Sequence, residues 1–205
     1  AYICDVEETA REARQRGIMA DRLHVLGIPI SPAFHAPFDR REVRRLFQLA
    51  PDRVTILVTS GGDTVGPFEA VVLALMSLER ALPGRLQLLV VCGQNARMVD
   101  RLRRRAQGCA MPMRVEGFIE TMPQAMAASD LIVAKAGGMT VSEAMARDVP
   151  LILYHAIPGQ ERFNADYVVR HGAGVAAHRP DEAVGRVLHL LDHPGQLEAM
   201  RAQAI

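Results

Sequence analysis

Short continuous apolar runs recur along this chain, each followed by a turn and an amphipathic segment. Val54-Thr55-Ile56-Leu57-Val58 and Leu86-Gln87-Leu88-Leu89-Val90-Val91 are the clearest. Runs without polar alternation suit strands covered on both faces, as in a parallel sheet. The pattern predicts strands at 53–59, 86–92, 112–116, 130–134, 150–153 and 174–177. Between and after them it predicts helices at 67–82, 95–107, 121–128, 139–147, 160–171, 180–192 and 194–204. Strands alternating with helices at this spacing are βαβ units with right-handed crossovers. The expected fold is α/β: a doubly wound, Rossmann-like parallel sheet of about six strands, flanked by helices and beginning near residue 50. Ahead of it come a polar helix at 5–17, a short strand at 22–26, a Pro-rich turn at 27–37 and a charged helix at 39–48. The Pro-rich stretch is the linker candidate. Ala1 is followed at once by Tyr2-Ile3-Cys4, which reads as a strand in progress, so we expect a domain cut from a longer protein.

Composition narrows the classes. Half of the 205 residues are apolar and the formal net charge is +1, which suits a folded core and does not suggest nucleic acid as a partner. Three widely spaced cysteines argue against a disulfide framework and fit a reducing compartment. The sequence shows no C-x-x-C zinc spacing, and no apolar run approaches the ~20 residues of a membrane span.

In such a sheet, ligands bind where the carboxyl ends of strands meet helix N-termini. Three loops there carry unusual chemistry. The first, Ser60-Gly61-Gly62-Asp63-Thr64-Val65-Gly66-Pro67, has glycines that let backbone N–H groups approach a phosphate. It is neither a Walker A loop nor a G-x-G-x-x-G fingerprint, which disfavours an NAD-dependent oxidoreductase. A plain βα turn explains it equally well. The second, Lys135-Ala136-Gly137-Gly138-Met139-Thr140, leads to Glu143. Thr140-x-x-Glu143 fits a capping box, with threonine as the N-cap. Alternatively, the glycines welcome an anion at the helix start while Glu143 accepts both hydroxyls of a ribose. Lys135, the chain's single lysine, suits a salt bridge, a phosphate contact or a structural role. The third, Ile157-Pro158-Gly159-Gln160-Glu161, brings an amide and a carboxylate to a helix start, with Asn164 one turn on. These groups suit sugar hydroxyls or simple capping. Arg40/Arg44 and Arg41/Arg45 stand at i,i+4 spacing, which favours a solvated charged face over a lipid-headgroup contact.

Taken together, the motifs resemble one family. Gly27-Ile28-Pro29-Ile30 with Phe34, Ser60-Gly61-Gly62 with Gly66, Val91-Cys92-Gly93-Gln94-Asn95, and Val115-Glu116-Gly117-Phe118 with Met122 occur in order. Ser129-Asp130, K-A-G-G-x-T-x-x-E-A and P-G-Q-E-x-x-N follow. The run from about 22 to 192 resembles the C-terminal donor-binding domain of glycosyltransferase family 28, of GT-B architecture. Within that family it is similar to the monogalactosyldiacylglycerol synthase and processive diacylglycerol glucosyltransferase branch.

The resemblance implies that residues 1–37 are the tail of an N-terminal acceptor domain with its linker, and 38–205 the UDP-sugar domain. It implies an inverting hexosyltransferase using UDP-glucose or UDP-galactose and a lipid acceptor, diacylglycerol by branch. This chain, inactive alone, would lack the catalytic base, the acceptor site and the membrane-contacting surface, all expected in the missing domain. The whole protein would be cytoplasmic and peripheral to the inner face of the cell membrane. Ser60, Gly61 and Gly62 would face the diphosphate, and Phe118 the uracil. Gly138, Met139 and Thr140 would meet sugar-phosphate, Glu143 the ribose, and Gln160 and Glu161 the hexose. A core role competes for Phe118, and an N-cap role is favoured for Asn95. Asp63 departs from the family's small-residue loop; beside a diphosphate it would repel unless it points away. No D-x-D occurs, so no metal or other cofactor is expected. The rivals are a UDP-sugar 2-epimerase-like enzyme, for which His155 is the acid/base candidate, a transferase acting on another lipid-linked acceptor, and a non-catalytic nucleotide-binding module.

Overall fold

The computed structural model describes residues 1–62, 64 and 66–203. They divide into two units, Ala1–Pro32 and Ala33–Ile205. In the first, strand β1 (Tyr2–Cys4) pairs in parallel with β2 (Leu23–Val25), and helix α1 (Glu7–Gln15) is the crossover. Cys4 and Ala10 are the buried contacts of this βαβ unit.

A 3-10 turn, Pro32–His35, inside the stretch read as a Pro-rich turn, begins at the last residue of the first unit, and α2 (Arg40–Leu46) is the first helix of the second. Asp39 caps α2 by accepting from the backbone N–H groups of Arg41 (2.7 Å) and Glu42 (3.2 Å). Strands β3 (Val54–Thr59), β4 (Leu86–Val91), β5 (Met113–Glu116), β6 (Leu131–Ala134), β7 (Leu151–Tyr154) and β8 (Gly174–Ala177) follow. Helices α3 (Phe68–Met76), α4 (Ala96–Ala106), α5 (Met122–Ala127), α6 (Gly138–Ala146), α7 (Gln160–Arg170), α8 (Pro180–Asp192) and α9 (Pro194–Ala202) connect and close them. All six strands are parallel, in the order β5-β4-β3-β6-β7-β8. This is the doubly wound sheet that the apolar runs predict.

Both faces of the sheet are covered. β4 is buried at every position, and Phe68, Val71, Val72 and Leu75 of α3 join Val187 and Leu190 of α8 in one core. Each such side chain contributes about 1.5–3 kcal/mol on burial. The lone polar residue of the β4 run, Gln87, is fully used. Its Nε2 donates to the Ala50 carbonyl and to Thr55 Oγ1, both at 2.9 Å, and its Oε1 accepts from Ala50 N–H at 2.8 Å.

The predicted helix at 67–82 is shorter than its apolar pattern. α3 stops at Met76, where the Ser77 hydroxyl donates to the Ala74 carbonyl at 2.6 Å and a 3-10 turn, Ser77–Arg80, takes over. The charged helix α2 is also not a solvated face throughout. Arg44 is buried and donates to the Ala128 carbonyl (3.0 Å), the Pro51 carbonyl (2.7 Å) and Asp130 Oδ2 (2.7 Å). Asp130 also takes Arg40 and the Thr55 N–H, the latter at 2.8 Å. Arg41 and Arg45 remain on the exposed side.

Candidate functional site

Strand order reverses direction between β3 and β6, so their outgoing loops part and leave a crevice. The register levels the strand ends: Thr59 stands opposite Val91 on one side and Ala134 on the other, and Ala134 opposite Leu153. The three chemically unusual loops therefore leave from adjacent strands β3, β6 and β7. The motifs singled out in sequence share one edge.

The β3 loop is braced from behind by the β4–α4 turn. Gly93 has φ +57, and a Cβ there would lie 2.4 Å from the Gly62 carbonyl oxygen and 2.8 Å from that of Gly61. Gln94 N–H donates to the Gly62 carbonyl at 3.1 Å. Because the peptide is trans, the Gly62 N–H points away from the side its Gly61 carbonyl faces. That N–H has no partner among the described residues. Asn95 caps α4 by accepting from Met98 N–H at 3.0 Å, as expected, and its amide also holds Thr64. Asp63 lies outside the described residues.

The capping-box reading of Thr140-x-x-Glu143 is overturned. α6 begins at Gly138 with Gly137 as its N-cap and no side-chain cap, so Thr140 sits inside the first turn. Glycine-137 adopts the extended N-cap backbone that places the first turn three residues earlier than the threonine signal suggests. The N–H groups of Gly138, Met139 and Thr140 have no partner among the described residues, leaving the positive end of the helix open. Glu143 lies one turn in, half-buried, with no hydrogen bond or ion pair among the described residues. Burial pushes its carboxyl up to about 7.

The third loop is fastened to the second. Lys135 Nζ meets Glu161 Oε1 at 2.9 Å with the lysine side chain only 10% exposed. Glu161 Oε2 accepts from Ile157 N–H at 3.0 Å. Asn164, buried, donates to the Ala136 carbonyl at 2.9 Å. K-A and E-x-x-N are thus two halves of one clamp between the β6 end and α7. Its signal in sequence was the spacing, but the pairing was not legible there. Lys135 takes the salt-bridge role. Gly159, with φ +99 and ψ −129, makes the turn that starts α7 and is accessible to glycine alone. Gln160 is exposed at the first position of that helix.

Phe118 follows β5 and is 66% exposed, which removes the core reading. It stands two strand spacings from β3, about 10 Å. Met139 is exposed as well. The described residues contain no group of three or more His, Cys, Asp or Glu arranged to hold a metal ion. A cavity of about 390 Å³ lies at the opposite, amino edge of the sheet, lined by Arg40, Arg44 and Asp130 among others. Its Arg40, Arg44 and Asp130 are paired with one another, so the open carboxyl edge is the better candidate.

Residues 55–204 match the model of the glycosyltransferase family 28 C-terminal domain. The chain belongs to this family. Among its curated relatives is a probable monogalactosyldiacylglycerol synthase 2, chloroplastic, of Oryza sativa subsp. indica. It is 37% identical over 189 residues, spanning 90% of this chain and 40% of the relative. The chain spans well under half the length of the curated relatives it matches. Among solved structures, S. aureus MnaA with UDP superposes with a TM-score of 0.75 at 16% identity, covering 97% of this chain and 54% of that one. Anabaena HepE with UDP-glucose gives 0.66 at 18% identity, covering 98% and 57%. Identities this low speak to the fold, and both agree with the doubly wound sheet.

Proposed function

We propose that the carboxyl edge of this sheet binds a UDP-hexose, and that the chain is the donor half of an inverting hexosyltransferase acting on a lipid, diacylglycerol by branch. The carrying observation is Glu143. A half-buried carboxylate without a protein partner, one turn inside a helix whose first N–H groups are open, suits a ribose beside a phosphate. The monogalactosyldiacylglycerol synthases among the relatives and the UDP held by MnaA and HepE support the same reading.

The roles divide by position. Ser60, Gly61, Gly62 and the N-terminus of α6 receive the diphosphate, where fixed N–H groups stabilise the charge of departing UDP. Gly138, Met139 and Thr140 meet sugar-phosphate, Phe118 supports the uracil, and Gln160 and Glu161 contact the hexose. The base that takes the acceptor's proton belongs to the N-terminal region of the whole protein, as do the lipid site and the contact with the inner face of the cell membrane. Residues 1–37 are the tail of that region and its linker. No helix among the described residues is long and apolar enough to cross a membrane.

Calorimetry and thermal shift with UDP, ADP and NAD test this. UDP alone should bind, and at 100 times its dissociation constant it should stabilise the chain by about 2.7 kcal/mol. Equal response to ADP or NAD would sink the uridine reading. Release of UDP from a UDP-sugar by the whole protein without acceptor would favour an epimerase.

A further inference from the structure

Gly66 and His155 come from loops two strands apart, and they touch. β6 stands between β3 and β7, so the strands that carry them are about 10 Å apart. Yet a Cβ on Gly66 would lie 2.5 Å from Cδ2 and 3.0 Å from Nε2 of His155. The imidazole therefore reaches across the carboxyl end of β6 and lies on the last glycine of the β3 loop. The backbone is bent to aim it there: His155 has φ +49, a left-handed conformation sparsely occupied by residues other than glycine. Its ring nitrogens have no hydrogen-bond partner among the described residues, and the residue is exposed to the crevice edge.

Charge singles it out further. The loops 60–67, 135–137 and 155–159 contain two side chains able to carry positive charge, Lys135 and His155. The lysine ammonium is committed to Glu161. In chain order His155 falls between α6, with Glu143, and the start of α7, with Gln160 and Glu161. On the UDP-hexose reading those two helix starts meet ribose-phosphate and hexose.

We propose that His155 is a ligand of the donor's distal phosphate, its imidazole N–H donating to a phosphate oxygen. When the bond between the anomeric carbon and that phosphate's oxygen breaks, the electron pair stays on the oxygen, and His155 holds the charge where it develops. The proposal rests on the UDP-hexose reading above.

The test titrates the 205-residue chain with uridine, UMP and UDP by calorimetry. In His155→Gly, which fits the left-handed backbone, the preference for UDP over UMP should fall about tenfold while uridine affinity holds. His155→Asn, which tolerates the same backbone and keeps an N–H donor, should retain most of the preference. If the glycine variant does not fold, His155→Asp, equally tolerant and opposite in charge, must lower the same ratio. Wild-type chain that binds no uridine nucleotide would overturn the donor reading itself. Wild-type binding of UDP with an unchanged UDP-to-UMP ratio in the variants would overturn the role of His155 alone.

Discussion

On the proposed reading, Glu143 is costly to the fold and useful to a ligand. Its ordinary carboxyl value is 4.5, and burial raises it to about 7. Folding therefore favours the protonated form; the associated stability is complete below pH 4.5 and is lost as pH rises through 7. Glu143→Gln cannot ionise, so its melting temperature should exceed wild type at pH 8 and converge with it near pH 4.5. The same variant should bind UDP about 2 kcal/mol, roughly 30-fold, more weakly at pH 8, for want of a charged acceptor. Calorimetry across pH 5.5 to 8 should show wild-type affinity gaining on the glutamine variant as the carboxylate forms. A second residue-scale test concerns Lys135. Lys135→Met leaves Glu161 without its cation in a largely buried place, and denaturant melts should show a loss of about 3 kcal/mol. Affinity for UDP-hexose should then fall more than that for UDP, because Glu161 belongs to the hexose end.

At the scale of elements, the site is a set of loops held by turns from behind. The β3 loop rests on Gly93, where no other residue fits: φ is +57 and a Cβ would meet the Gly62 carbonyl at 2.4 Å. Gly93→Ala should cost about 2 kcal/mol or more and weaken UDP binding, measured by melts and titration, although Gly93 makes no contact with the diphosphate in our reading. Much of this scale was legible in sequence. Pro67, Gly93, Gly137 and Gly159 punctuated the right loops, and the apolar runs marked each strand of the large sheet. The start of α6 falls within one residue of its predicted position, but the capping box does not form, because Gly137 supplies the N-cap backbone ahead of Thr140. The charged face of α2 was misread for another reason. Helical spacing identifies which arginines share a face, but not that Asp130, 86 residues after Arg44, lies beneath it.

For the molecule as a whole, the sheet order places the 60–67 loop, the open start of α6 and the 155–159 loop, to which we assign phosphate and hexose, on three neighbouring strands. Such a site can neutralise a diphosphate with backbone N–H groups and helix dipoles. The absence of D-x-D from the sequence leads to a direct expectation. EDTA should leave UDP affinity unchanged in calorimetry, and a drop restored by magnesium would refute it. Glucose and galactose differ at one hydroxyl, which on our reading Gln160 and Glu161 help to recognise. Kinetics of the whole protein with both UDP-sugars decides between them.

The sequence alone determined the alternation of strands and helices and the family, because periodicity, glycine conformation and motif spacing are local properties. Tertiary structure decided what those residues do to one another. It turned Lys135 inward onto Glu161, tied Asn164 to the Ala136 carbonyl, and left Glu143 without a partner among the described residues. It also laid His155 across β6 onto Gly66. Those outcomes depend on which strands become neighbours, and strand order is set by the packing of the whole sheet rather than by any stretch of the chain.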